Sequence, residues 1–271
     1  MLAVLSPAKN LDMSPAPLET DATTPALMGD AKQLMGTTRR LSQTKIRELM
    51  KLSAELAKLN YDRYRSFELP FTTDNALQAG FAFNGEVYRG LDARSLDAEQ
   101  LAWAQERVWI LSGLFGILRP LDLMQPYRLE MGTKLPTRRG KDLYAFWGER
   151  IREQLEQALE GHEDPTLVNL ASNEYFRAVR AKKLAHPVVT CVFEDWKQDP
   201  NEGKVISFLA KHARGKMARF IIQQRVDRVA GLRDFAVDRY RLDKKRSTDT
   251  RLVFKRKFVP VAKKKKSSKK K

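Results

Sequence analysis

The chain has 271 residues, 42% of them hydrophobic, enough to fill one sizeable core, and its 50 Lys and Arg against 33 Asp and Glu give a formal charge of +17. A single cysteine excludes an intrachain disulfide framework and fits a reducing compartment. The only early apolar segment, residues 1–5, is too short for a secretory leader and lacks a basic flank, and the apolar run 108–118 is shorter than a membrane span, so a cytoplasmic protein with no membrane partner is expected.

Seven lysines crowd residues 263–271, and without them the formal charge of +17 falls to +10. Like charges with no apolar residue cannot offset their ordering entropy, so residues 259–271 are expected to form a disordered Lys-rich tail. Such a tail either holds polyanions loosely through counterion release or only solubilises the protein. Residues 1–258 carry no Gly/Ser-rich linker and no fixed repeat, which predicts one compact domain of mixed α/β (α+β) class.

In chain order, residues 2–5 (LAVL) read as a short buried strand ended by Pro7, and residues 10–26 as a Pro- and Thr-rich loop. Leu49, Leu52, Leu56 and Leu59 give a helical stripe over residues 44–60, capped by Ser42. Residues 75–82 and 97–111 also read as helices, the second led by Asp97, with a glycine-bearing turn at 83–90 between them. A helix over 143–159, a strand over 166–170 and a short helix capped by residues 171–174 follow. Residues 188–193 and 205–208 read as strands, although the second could run directly into the helix marked by Leu209, Ala213, Met217, Phe220, Ile221 and Gln224. Residues 235–242 and 251–258 read as two closing strands.

Three groups of residues could carry chemistry. The first is the glycine-bracketed turn after the apolar run, Ser112, Gly113, Leu114, Phe115 and Gly116, read as a helix–turn–helix connection whose uncovered main-chain N–H groups suit phosphate. It resembles a helix-hairpin-helix element, although Gly113 and Gly116 enclose two residues rather than one and Pro120 follows. A tight connection whose glycines only permit packing is the alternative. The second group is the cationic helix face of Lys211, His212, Arg214, Lys216 and Arg219, whose like charges at i,i+3 and i,i+4 spacing repel unless an anion relieves them; a solvated face is the bland reading. The third comprises polar residues just after strands, Ser6 and Lys9, then Ser172, Asn173 and Glu174, since ligands collect at strand ends in open α/β sheets. Lys9 and Glu174 could be an acid–base pair or a salt bridge. No HxxxH, CxxC or EF-hand spacing occurs, and neither GxxxxGK[ST] nor a GxGxxG after the first strand is present, so no metal and no cofactor is expected.

Several blocks together resemble the YaaA family of bacterial peroxide stress-response proteins: residues 5–9 (LSPAK), 83–88 (FNGEVY), 111–132 (LSGLFGILRPLDLMQPYRLEMG), 142–148 (DLYAFWG), 169–176 (NLASNEYF) and 213–221 (ARGKMARFI). Asn10 stands where the family pattern has threonine, and the lysine tail is no part of it. The resemblance implies a cytoplasmic protein that limits intracellular iron and oxidative damage during hydrogen peroxide stress. It also implies double-stranded DNA binding by a helix-hairpin-helix in an unusual α/β fold with a positively charged cleft. On this chain the hairpin falls on residues 112–116, and charge alone assigns Arg119, Arg128, Lys211, Arg214, Lys216 and Arg219 to the cleft.

The expectation is therefore a single domain with a helix-hairpin-helix-like element and a basic cleft, binding DNA through phosphates with tolerance of sequence, and not primarily an enzyme. The rival is an enzyme acting on a nucleotide or other anionic small molecule, with Lys9, Glu174, Arg214 and Lys216 around one pocket. An iron-linked regulator with no chemistry on DNA is a third reading.

Overall fold

Leu2, Ala3, Val4 and Leu5 are completely buried, which explains why the first strand, β1 (Leu2–Leu5), is apolar throughout rather than alternating: a parallel strand covered on both faces has no wet side. The computed structural model describes residues 1–258, which form a mixed α/β architecture of eleven α-helices around a seven-stranded sheet. The other strands are β2 (Val108–Ser112), β3 (Gly116–Leu118), β4 (Leu167–Asn169), β5 (Val188–Trp196), β6 (Arg241–Leu242) and β7 (Arg251–Lys257). Their order is β6-β7-β5-β4-β1-β2-β3. The five central strands are parallel, and the two edge strands β6 and β3 are antiparallel to their neighbours. Ala3 lies opposite Val108 on one side and Val168 on the other, so β1 and β4 emerge side by side at the same end of the sheet. The Lys-rich tail, residues 259–271, lies outside the described residues.

Several helical readings change. Residues 44–60 divide into Gln43–Met50 and Ala54–Ser66, because Lys51 takes a left-handed turn and Ser53 caps a second helix by accepting from the Leu56 N–H at 3.3 Å. The buried face there is Ile46, Ala57 and Tyr64, leaving Leu56 and Leu59 exposed. Ser42 caps as expected, on the Lys45 N–H, and Asp97, expected only as an acidic residue at the positive end of its helix, caps it on the Gln100 N–H. The Asp97 helix stops at Gln105, however, and residues 108–112 enter the sheet. Residues 83–90 hold the helix Glu86–Leu91 rather than a turn, and residues 143–159 divide at Gly148 into Leu143–Trp147 and Arg150–Glu160. Of the two readings of residues 205–208, the structure takes the second, with Val205 running directly into the helix Ser207–Gln223, and of residues 235–242 only Arg241–Leu242 are strand.

The Ser207–Gln223 helix places the cationic residues, and its seat is the Glu86–Leu91 helix. The two approach backbone to backbone at a pair of glycines. A Cβ on Gly215 would lie 1.8 Å from the Val87 carbonyl oxygen, and one on Gly90 would lie 2.2 Å from that of His212. Helix propensity alone favours Gly215→Ala by about 1 kcal/mol. The clash is with rigid backbone, so overpacking outweighs that gain, and we expect Gly215→Ala to destabilise the fold by about 3 kcal/mol. Denaturant midpoints measure this; a variant as stable as the parent would mean the helices do not meet this closely.

Candidate functional site

The glycine-bracketed turn is not a helix-hairpin-helix. Val108–Ser112 and Gly116–Leu118 are antiparallel strands in register Ile110↔Leu118 and Ser112↔Gly116, and Leu114 and Phe115 at the turn are fully buried. The physical reason is visible in the run Val-Trp-Ile-Leu-Ser: five apolar or small residues closed by a glycine suit a strand buried on both faces as well as they suit a helix. Several polar groups of the turn are spent internally. Phe115 N–H donates to Ser112 Oγ at 2.9 Å, Ser112 Oγ meets the Tyr127 hydroxyl at 2.7 Å, and Trp147 Nε1 donates to the Gly113 carbonyl at 3.0 Å. A Cβ on Gly113 would sit 2.1 Å from the Leu129 carbonyl oxygen, while Gly116 has φ of +70° with the Trp147 ring against it. These glycines serve packing, and their amides are not offered to phosphate.

Three of the six cations assigned to a basic cleft are engaged in ion pairs. The Arg119 guanidinium lies 3.2 Å from Asp122, whose carboxyl is buried and shifted upward by that burial. Arg128 pairs with Glu130 at 3.1 Å. Arg219 donates to the carbonyls of Leu91 at 3.0 Å and Asp92 at 2.9 Å, and so ties the two crossing helices together. Lys216 is half-buried near the helix crossing, where its charge adds to the burial that lowers the His212 pKa. Lys211 and Arg214 differ, for both line a cleft.

This cleft, of about 690 Å³, lies beyond the carboxyl ends of β1 and β4. It gathers Ser6 and Lys9 after β1, Ser172 and Glu174 after β4, Glu86 and Tyr88 from the short helix, Glu130, Val205 just before the long helix, and Lys211 and Arg214 on it. The strand-end group is thus brought together, with Ser172 N–H donating to Ser6 Oγ at 2.8 Å and Ser6 Oγ donating to Ser172 Oγ at 3.2 Å. Tyr88 donates its hydroxyl to the Ser6 carbonyl at 3.1 Å, and burial holds that phenol well above its ordinary pKa. Lys9 and Glu174 do not pair with each other. Lys9 Nζ is 2.9 Å from Glu130, and Glu174 Oε1 accepts from the Gly132 N–H at 2.9 Å.

Arg214 is the outlier. Its Nε is buried without a hydrogen-bond partner, no carboxylate lies within ion-pair distance among the described residues, and burial pulls its pKa down. The sequence reading missed Glu86, Glu130 and the two tyrosines, Tyr88 and Tyr175, that floor the cleft. Glu86 and Glu130 sit inside the blocks 83–88 and 111–132, but nothing in a single sequence brings those blocks beside Ser6.

The family described as peroxide stress protein YaaA matches residues 1–246. The chain belongs to this family. It is 53% identical over 254 residues to a UPF0246 protein of Alteromonas mediterranea, covering 94% of this chain and 97% of that one. It is also 53% identical over 262 residues to a UPF0246 protein of Variovorax paradoxus, covering 95% and 100%, and 51% identical over 258 residues to one of Burkholderia lata, covering 94% and 98%.

For a member of the YaaA family, the state of Cys191 matters, since thiolates are what peroxide attacks. The side chain is buried on β5, and burial pushes its thiol up to about 12, with the Arg214 charge only partly opposing. A thiol whose pKa lies that high is protonated throughout the physiological range. We therefore expect Cys191 to resist a disulfide labelling reagent between pH 7 and 9 in the native protein and to react after denaturation. Formation of sulfenic acid at Cys191 on addition of hydrogen peroxide to the native protein would contradict this placement.

Proposed function

We propose that the chain binds a small anionic molecule in the strand-end cleft, with Arg214 as its anchor and Lys211 and Lys9 at the mouth, and that this binding serves the peroxide stress role of its family. One observation carries the reading: a guanidinium with a buried, unpartnered Nε opens onto the cleft with no carboxylate within ion-pair distance among the described residues. Burying a charge without a partner is costly, and an anion arriving from solvent supplies the missing charge and hydrogen bonds. Arg suits that task because its planar fork meets carboxylate or phosphate with two parallel bonds.

The sign balance of the cleft favours a small ligand over a duplex. Lys9, Lys211 and Arg214 face Glu86, Glu130 and Glu174 across the same space. Three carboxylates would repel a continuous phosphate backbone, whereas a ligand with one or two anionic groups needs only the Arg214 side. Double-stranded DNA is the second reading, favoured by the formal charge of +17 and resting on general surface charge rather than on the turn. The lone, unpaired Cys191 supports a cytoplasmic setting. Iron restriction and protection of DNA, which the resemblance implies, enter this reading as consequences of the bound ligand. Thiol peroxidase chemistry has no support, because the one cysteine in the chain is buried and protonated.

Calorimetry and thermal shift with phosphate, pyrophosphate, AMP and ATP test the proposal. At a ligand concentration of about 100 times Kd, linkage gives roughly 2.7 kcal/mol of added stability. Arg214→Gln is expected to weaken binding by about 30-fold, a loss of about 2 kcal/mol, with no loss of stability in the free protein. Failure of every anion to bind, or equal binding by Arg214→Gln, would remove the reading. A duplex affinity that falls steeply with salt and ignores Arg214→Gln would favour DNA.

A further inference from the structure

The anion reading leaves most of the cleft unused. A single tetrahedral anion on Arg214 occupies a small part of about 690 Å³, a volume in the range that holds ligands of several tens of atoms. The wall opposite the long helix is made of acceptors and hydroxyls. Glu174 accepts from Gly132 N–H through Oε1 alone, leaving Oε2 to receive a donor. Ser172 stands at the N-cap of a short helix yet accepts nothing from it, unlike Ser42 and Ser53, which cap theirs. Its oxygen instead takes the Ser6 hydroxyl proton, which leaves its own proton without an acceptor among the described residues. Val205, which lines the cleft, is 53% exposed, and Phe208, 55% exposed, lies on the first turn of the long helix between the lining residues Ser207 and Ala210 without lining the cleft itself. These two are the most exposed large hydrophobic side chains among the described residues.

Resting on the anion-binding reading above, we infer that the ligand is a nucleoside phosphate. Its phosphate meets Arg214 and Lys211, its sugar hydroxyls meet Glu174 and Ser172, and its base lies against Val205 and extends out of the cleft toward Phe208. Each part answers one otherwise unexplained feature: an unpaired cation, a carboxylate oxygen and a serine proton with no partner, and apolar surface exposed where the cleft opens. A carboxylate receiving sugar hydroxyls is a recurrent solution in nucleotide sites, and a flat apolar lip accepts any base by its π-face. The sequence has no glycine-rich phosphate loop, so here side chains rather than main-chain amides would hold the phosphates.

The test compares AMP and ATP with tripolyphosphate, which carries the charge without sugar or base, on the full chain by calorimetry. The nucleotides are expected to bind at least about tenfold more tightly than tripolyphosphate. Glu174→Gln keeps an amide oxygen for Gly132 N–H but loses the charged acceptor, so it should weaken AMP about tenfold while tripolyphosphate binds as well or better, a repelling carboxylate having gone. Phe208→Ala should reduce the nucleotide advantage without changing the melting temperature, since the ring is mostly in water. If tripolyphosphate binds as tightly as the nucleotides, or if Glu174→Gln weakens both alike, the nucleoside assignment falls and the anion site stands. If none of them binds, both readings fall.

Discussion

Two helices that touch at Gly90 and Gly215 determine where the functional side chains lie. With a Cβ at either position the Ser207–Gln223 helix would have to lift away from Glu86–Leu91 by more than an ångström, because the opposing atoms are carbonyl oxygens that cannot rotate aside. Seated as it is, the helix holds Lys211 and Arg214 above the ends of β1 and β4. Those two strands are parallel neighbours, so the residues that follow them are neighbours as well, and Ser172 N–H bonds to Ser6 Oγ across a separation of 166 residues. The cleft is the meeting of these two constraints, one from helix packing and one from sheet topology.

Net charge says little about where a cation is available. Arg119, Arg128 and Arg219 carry positive charge into the fold, yet Asp122, Glu130 and the carbonyls of Leu91 and Asp92 use it there. Arg219 holds the helix crossing that positions Arg214, so the two differ in role despite sharing a helix. The Lys9–Glu130 pair is of another kind. Lys9 is 61% exposed, and a pair so wet contributes at most about 1 kcal/mol, so a ligand could draw Lys9 away from Glu130 at little cost. Arg214 cannot be redirected so easily, because its Nε is buried where the side chain lines the cleft.

What could be read from the sequence follows from how local each signal is. The strands 2–5, 166–170 and 188–193 were legible from apolar runs, the closing strand 251–258 from its position, and the helix starts at Ser42 and Asp97 from one residue each. Each half of the strand-end group, Ser6 with Lys9 and Ser172 with Glu174, was legible as polar residues directly after a buried strand, but that the halves meet is set by the β1–β4 pairing, which the sequence does not contain. Residues 108–118 misled because a fully buried strand and a buried helix share the same pattern, and the choice was made by pairing with β1, which no local window contains. The cation set misled for a related reason: each arginine's partner lies on another segment or is revealed only by the turn that presents it. Ser53 was a missed local signal, a second capping serine inside what read as one helix.

Membership of a peroxide stress family makes burial itself informative about mechanism. The packing that strips water from the inner part of Arg214 also covers Cys191 on β5, and it moves the two groups in opposite senses. It lowers the pKa of the guanidinium, whose charge is left without a partner, and it raises that of the thiol. A site arranged this way retains its binding group while peroxide is present, because a guanidinium is not oxidised under conditions that attack an exposed thiolate. The anion recognition proposed for Arg214 would therefore be a chemistry that the oxidant leaves intact, and the only thiol in the chain, Cys191, is buried.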